Sequence, residues 1–264
     1  MLCFICPLCH EPLIENPQGL SCCRGHQFDR AREGYFHLLP VHHKNSRQPG
    51  DAKLQLQARR RFLTAGFFSP LANALQRHLP TTTQCVLDIG CGEGYFTNHI
   101  ATLLDNAAQV YGIDIAKEGV RLAAKGSRAF YAVASSYALP IADHSIDVIT
   151  RVYAPSKDSE LVRVLKPDGR LIIVTPGQDH LLGLRQTLYQ QVRPHPEPQA
   201  PDGFVSQESH QLNFELVVSA GPLTEALLQM TPFAWRLKED ASREMVASGW
   251  RDKADFTVSI YRRA

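Results

Sequence analysis

Cys6, Cys9, Cys22 and His26 are the first residues of this 264-residue chain whose types and spacing imply chemistry. Cys6-Pro7-Leu8-Cys9 is a C-x2-C knuckle, with Cys22 after twelve intervening residues and His26 after three more. Three soft thiolates and one imidazole suit a tetrahedral zinc ion. Four protein ligands leave no open coordination position, so one structural zinc is expected rather than a catalytic one. Cys23 competes with Cys22 for the third place, and the spacing favours Cys22. Cys3 and His10 read as bystanders, and Cys85 and Cys91 as small hydrophobes of the core. A redox C-x-x-C is excluded because no βαβ unit surrounds the knuckle. A stretch of about 35 residues cannot bury enough apolar surface to fold unaided, so the metal would supply the missing stability.

The second constellation is Val86-Leu87-Asp88-Ile89-Gly90-Cys91-Gly92-Glu93-Gly94, a buried strand running into a glycine-rich turn. Asp114 ends the next strand, about 20 residues on, the spacing a cofactor ribose needs in a nucleotide-binding βαβ unit. Glycines there permit positive φ and close approach of a ligand. A dinucleotide site wants G-x-G-x-x-G, but here the third glycine comes one position early, at Gly94, and Tyr95 takes its place. Asp88 also repels a pyrophosphate, while it suits a cationic cofactor without phosphate. The pattern resembles the S-adenosylmethionine motif of Rossmann-like methyltransferases, with Asp88, Gly90, Gly92 and Asp114 as cofactor-binding residues.

These residues need elements to hold them. Strands are predicted at 85–89, 109–114, 128–134, 146–151 and 170–175, with helices at 95–104, 117–126, 158–165 and 181–191. Lys166-Pro167-Asp168-Gly169 reads as the turn that launches the fifth strand, and 213–218 and 255–261 as a late pair. The alternation implies an α/β fold: a parallel sheet with helices on both faces and ligands at the carboxyl ends of its strands. Pro12, Asn16, Pro17 and Gly19 mark a hairpin tip inside the cysteine module. Residues 34–40 read as a short strand packing against the knuckle. The resulting division is a zinc-binding RNA-recognition module at 1–40, a basic linker at 41–60 and a Rossmann-like methyltransferase domain at 61–264. Residues 52–65 nonetheless have helical composition. The proline-rich segment 194–201 sits where a substrate-side insertion would lie, and a plain surface loop fits equally.

Composition narrows the function classes. Hydrophobic content of 44% is ordinary for a globular protein. No apolar run approaches a membrane span, and the N-terminus lacks a basic region and a long apolar core, so neither a membrane partner nor a signal peptide is expected. Five of the seven cysteines fall in the first 23 residues, which argues for metal binding in a reducing compartment, the cytoplasm. The net charge of +2 hides an asymmetry: residues 24–61 hold nine Lys or Arg against three acids, leaving the remainder acidic. Such a patch beside a metal module suits a polyanion; a solvated linker is the alternative. The Arg59-Arg60-Arg61 run fits either a solvated face or a phosphate contact.

The whole arrangement resembles the bacterial 23S rRNA (guanine-N1)-methyltransferases, the Gram-negative branch most closely. Cys6 to Cys9, Gly25-His26-Gln27-Phe28-Asp29, Glu33-Gly34-Tyr35, Leu38 to Val41, His43-Lys44, Pro49-Gly50-Asp51 and Gln57 to Arg60 carry the resemblance. The core adds Val86 to Tyr95, Ala134-Ser135-Ser136, Tyr153-Ala154-Pro155 and Thr175-Pro176-Gly177, and the C-terminal part Gln229 to Trp235. The resemblance implies methyl transfer from S-adenosylmethionine to N1 of guanine 745 in a hairpin of 23S rRNA, by a homodimer whose two chains form an RNA cleft. It also implies a zinc on Cys6, Cys9, Cys22 and His26, and cofactor contacts at Gly92, Glu93, His180 and Phe68. Phe68 stands where a tyrosine is typical, so stacking survives and a hydroxyl contact is lost. Tyr153 is the candidate at the reacting base, with packing as its alternative. His180 has the chemistry of a base, whereas the resemblance makes it a cofactor contact. Two rivals remain: a methyltransferase acting on another RNA or a small molecule, and a non-catalytic zinc RNA-binding protein. A small-molecule substrate does not explain the cysteine module or the basic segment, and a non-catalytic protein does not explain the intact glycines and both acids.

Overall fold

The structure, a computed structural model, describes residues 2–40, 50–189, 191–231 and 236–264. The predicted basic residues Lys44 and Arg47, with His42 and His43, and the Pro232 to Trp235 block lie outside them.

Three short strands, β1 (Ile14–Asn16), β2 (Gly19–Ser21) and β3 (Gln27–Asp29), form a small antiparallel sheet. Its hairpin tip is set by Asn16, whose Oδ1 accepts the N–H groups of Gln18 (3.0 Å) and Gly19 (2.9 Å). After β4 (Phe36–His37) come α1 (Lys53–Thr64), α2 (Ser69–Arg77), β5 (Cys85–Ile89), α3 (Tyr95–Leu103), β6 (Gln109–Asp114), α4 (Lys117–Ala124) and β7 (Phe130–Val133). The chain continues through β8 (Ile146–Val152), α5 (Asp158–Val164), β9 (Leu165–Pro176), α6 (Leu182–Leu188), β10 (Phe204–Val218), α7 (Pro222–Met230), α8 (Glu239–Ser248) and β11 (Trp250–Arg263). The main sheet has eight strands in the order β10, β11, β9, β8, β5, β6, β7, β4. Its six strands from β9 to β4 are parallel, and β11 and β10 close it antiparallel. β5 is buried at all five positions, as a parallel strand covered on both faces must be. The α/β class and the Rossmann-like sheet expected from the alternation are present.

Three expectations need correction. The strand in residues 34–40 does not merely pack against the knuckle: Phe36 and His37 pair in parallel with Ala132 and Val133, so it is the outermost strand of the main sheet. The linker at 41–60 is helical from Lys53 onward, and the boundary at 61 falls inside α1. There Leu56, Ala58, Phe62 and Leu63 form a buried stripe at helical spacing, which outweighs the run of charges around them. Residues 166–169 do not precede the fifth strand but interrupt it: Ile146 faces Leu165 and Val148 faces Arg170, so the four turn residues bulge out of the ladder.

The cysteine module shares its core with the main sheet. Phe4, Cys6, Leu13, Leu20 and Phe36 belong to the same buried cluster as Leu87, Ile89 and Tyr111. Phe4 packs edge-on against Tyr111 with ring centroids 5.0 Å apart. Main-chain bonds cross the same seam: Ile5 N–H donates to the Pro140 carbonyl (3.0 Å) and Ala142 N–H to the Cys3 carbonyl (2.8 Å). Among the described residues no helix is long and apolar enough to cross a membrane.

Candidate functional site

The four predicted zinc ligands come together. One ligand atom from each of Cys6, Cys9, Cys22 and His26 lies within 4.8 Å of all the others. Cys6 Sγ and Cys22 Sγ each lie 3.4 Å from His26 Nδ1, and Cys9 Sγ lies 3.7 Å from Cys22 Sγ. Tetrahedral bonds of about 2.3 Å to sulfur and about 2.0 Å to nitrogen give edges of roughly 3.5–3.8 Å. The donor set and its spacing therefore fit a zinc ion closed to further ligands. Cys22 occupies the third place, and Cys23 is exposed to solvent.

The glycine turn follows β5 at the carboxyl end of the sheet. Gly90, Gly92 and Gly94 have φ of +72°, +54° and +84°, a region that side chains disfavour. A Cβ on Gly90 would stand 2.2 Å from the Ala154 methyl, and one on Gly94 would stand 2.6 Å from that of Ala123. The turn is thus backed by α4 and by the loop after β8, leaving its main chain as the surface a ligand meets. Asp114 braces it: Oδ2 accepts Gly92 N–H (2.9 Å) and Oδ1 accepts Ala116 N–H (2.7 Å). Each carboxylate oxygen retains a lone pair for a ribose hydroxyl.

Three carboxyls crowd this turn. Asp88 is buried and accepts hydrogen bonds from Thr97 Oγ1 (2.5 Å) and Thr150 Oγ1 (2.8 Å). Burial pushes its pKa up to about 6. Burial pushes Glu93 up to about 7, against the pull of the Arg59 guanidinium. Asp114 is raised too, by burial, with its two backbone donors opposing. Among the described residues none of the three forms an ion pair. The Arg59 guanidinium offsets only part of the cost of ionising carboxyls this deeply buried, and Glu93 and Asp114 stay raised. A cradle of bare main chain walled by acids fits a cofactor with a sulfonium and an ammonium group, and repels pyrophosphate.

Phe68, Tyr153 and His180 meet around Phe256 of β11. The Phe256 ring centroid lies 5.0 Å from that of Phe68, 6.2 Å from Tyr153 and 4.8 Å from His180. Tyr153 follows β8 at φ +55°, a left-handed conformation uncommon for a bulky residue, and remains 48% exposed. Its N–H is spent on the Val174 carbonyl (3.2 Å), so the strain turns the ring outward at the end of the strand. His180 Nδ1 accepts the Asp255 N–H at 3.2 Å. The ring proton of the neutral imidazole therefore sits on Nε2, which donates. Burial lowers the His180 pKa to about 4, so the ring stays neutral. This arrangement makes Nε2 a hydrogen-bond donor, not a base.

The structure separates roles that the sequence left open. Arg59 pairs with Asp51 at 2.6 Å and lies 3.6 Å from where a Gly92 Cβ would be. The arginine run thus divides: Arg59 faces the cofactor turn, Arg60 donates to the Leu122 carbonyl (2.8 Å), and Arg61 is exposed. Gly50, at φ +88°, packs so closely on Ala116 that a Cβ would come within 2.7 Å of its methyl. The Gly50-Asp51 turn therefore lies against the loop that Asp114 braces. Thr150 and Asp255 act through residues far off in sequence, Asp88 and His180, and no local pattern could have marked them.

Comparison with known proteins agrees with both halves of the chain. A family model described as the zinc ribbon "RlmA, N-terminal" matches residues 4–47, and one described as "Methyltransferase domain" matches residues 82–212. A protein of Bacillus subtilis provisionally named a 23S rRNA (guanine-N1)-methyltransferase is 34% identical, over 97% of this chain and 94% of its own length. The 23S rRNA (guanine(748)-N(1))-methyltransferase of Streptomyces fradiae is 36% identical, over 73% of this chain and 70% of its own length. A relative from Micromonospora griseorubida, provisionally named for the same guanine-N1 activity, is also 36% identical, over 68% and 67%. With a zinc-ligand set and a methyltransferase cofactor turn built on one continuous core, the chain is an S-adenosylmethionine-dependent methyltransferase and belongs to the 23S rRNA (guanine-N1)-methyltransferase family.

Proposed function

We propose that the chain methylates N1 of guanine 745 in a hairpin of 23S rRNA. The observation that carries this reading is alignment over 97% of the chain, a span that takes in the zinc ribbon, α1 and the sheet alike, with a relative provisionally named for guanine-N1 methylation. Guanine 745, and not the 748 printed for the Streptomyces relative, rests on the residue blocks of the Gram-negative branch described above. An rRNA substrate places the chain in the cytoplasm. The family resemblance makes the working species a homodimer, which sedimentation of the zinc-loaded protein tests.

The bound cofactor supplies an electrophilic methyl group on a sulfonium. The chain's own residues do the rest. Asp114 holds the glycine turn and presents oxygens to the ribose, while Asp88 and Glu93 favour the positive charge. Phe68 stacks, without the hydroxyl a tyrosine would add. Guanine N1 carries a proton that must leave, to solvent, as the S–CH3 bond breaks and the N1–CH3 bond forms; N1 also lies on the Watson–Crick edge, so the base must be unpaired or turned out of its helix. Tyr153, turned outward at the carboxyl end of β8, is the surface on which the base stacks. The Ala154 carbonyl beside it accepts the base's N–H hydrogens. Nucleoside mass spectrometry of 23S rRNA from cells lacking this modification tests the reading. Expressing the chain should restore N1-methylguanosine, and expressing a Tyr153→Ala variant that still binds cofactor should not. Failure of the unaltered chain to restore it would reject the substrate.

A further inference from the structure

A second charged cavity lies at the other end of the sheet. Arg77 closes α2 and His78 follows it, Arg170 stands at the amino end of the main run of β9, and Arg262 stands near the end of β11. With Glu208 and His210 of β10 they line a cavity of about 730 Å³. The cofactor turn sits at the carboxyl ends of the same parallel strands, so the two sites open at opposite ends.

The three guanidiniums lack acidic partners. Among the described residues Arg77, Arg170 and Arg262 form no ion pair; Arg170 donates to the His78 carbonyl (3.4 Å) and Arg262 to the Arg263 carbonyl (3.3 Å). The one acid of the cavity, Glu208, is taken by His210 Nε2 at 2.9 Å. His78 is held below the usual imidazole range, first by burial and then by the charge of His210, with Arg77 and Arg170 adding to it and Glu208 opposing. Three guanidiniums line one hollow against a single acid, Glu208, which His210 and the Arg170 charge share, and an anion relieves the excess positive charge. A register shift between Ser206 and Glu208 interrupts the β10–β11 ladder here, and such irregularities re-aim side chains at sites. His78, Glu208 and His210 also bring ligand atoms within 4.8 Å of one another, as a cation cage would. The guanidiniums on the rim oppose a divalent cation and favour phosphate, which guanidinium binds in bidentate geometry.

We propose that this cavity grips backbone phosphates of the RNA substrate beyond the target hairpin. The proposal rests on the rRNA reading given above. Its test compares the zinc-loaded chain with an Arg77→Gln/Arg170→Gln/Arg262→Gln variant, all three positions being exposed. Binding to a long 23S rRNA segment and to the isolated hairpin is measured across a salt series. Each phosphate contact contributes about 0.7–0.9 to the log–log salt slope. The variant should therefore bind the long RNA roughly 10–100-fold more weakly near physiological salt, with a slope shallower by about two to three. Its hairpin affinity, its methyl transfer to the hairpin and its cofactor affinity should match the unaltered chain. Unchanged affinity and slope on the long RNA, or equal loss on both RNAs, would overturn the proposal. So would calorimetric zinc binding beyond one ion per chain that His78→Ala abolishes. If the unaltered chain neither binds nor methylates rRNA, the substrate reading fails first, and this inference with it.

Discussion

Gly90→Ala puts the geometry of the cofactor turn to a quantitative test. The added methyl has two separable costs. A non-glycine residue at φ +72° loses about 1–2 kcal/mol to left-handed strain. The new Cβ would also stand 2.2 Å from the Ala154 methyl, where carbon atoms rest at about 3.5–4.0 Å. Relieving that overlap moves the turn or the loop after β8 by more than 1 Å, and overpacking of this kind costs about 1–3 kcal/mol. The expected sum is about 2–5 kcal/mol, or a melting-point fall of roughly 5–15 °C for a chain this long. Gly126→Ala supplies the control, since Gly126 has φ +74° and nothing within 4 Å of its would-be Cβ. It should lose the strain share alone. Gly90→Ala/Ala154→Gly should recover the overlap share, and the double-mutant cycle isolates it. Because Ala154 adjoins Tyr153, the displaced loop should lower kcat for methyl transfer more than it weakens cofactor binding. Calorimetric melting with isothermal titration of cofactor reads both effects. Equal melting points for Gly90→Ala and Gly126→Ala, with cofactor affinity intact, would refute the reasoning.

Other outcomes follow from the same structure. Asp114→Ala removes the acceptors of Gly92 and Ala116 N–H and the oxygens offered to the ribose. Charge-assisted bonds of about 1.5–3 kcal/mol each imply a loss of cofactor affinity of at least roughly 100-fold, and an unchanged calorimetric constant would remove Asp114 from the site. Asp88 and Glu93 titrate at about 6 and about 7, above their unfolded values, so their contribution to the stability of the cofactor-free chain is full below about pH 4 and lost as pH rises through 6–7. A cationic cofactor favours their ionised forms, so its affinity should rise roughly 10–20-fold from pH 6 to pH 8. An affinity flat across that range would contradict the electrostatic account. Chelating zinc should lower the melting temperature of the whole chain and its cofactor affinity together, because Cys6 and Leu20 share a buried cluster with Leu87 and Ile89. Loss of RNA binding alone would show that the ribbon is independent of the sheet.

The chemistry of this chain was more legible than its domain boundaries. The zinc ligands follow from residue type and spacing because tetrahedral coordination constrains both. The limits of β5 and β6 follow from short, largely apolar runs that end at the glycine turn and at Asp114. The shared core was not legible, because a two-residue strand such as Phe36–His37 has no period to read and its partner, Ala132–Val133, is almost 100 residues away. Arg59 was hidden for a different reason. Charge runs look alike whether they face solvent or a ligand, and only the folding of α1 against the glycine turn separates Arg59 from Arg61. The tautomer of His180 depends on one backbone N–H, that of Asp255, which no sequence pattern announces.

The central claim is tested most directly by incubating the zinc-loaded protein and S-adenosylmethionine with 23S rRNA that lacks the modification, followed by primer extension. A methyl group on N1 blocks the Watson–Crick edge and stops the polymerase. The account predicts one new stop, at guanine 745, that requires cofactor and disappears with Asp114→Ala. A stop at another nucleotide would contradict the choice of target, and the absence of any stop with cofactor demonstrably bound would contradict the proposed rRNA substrate.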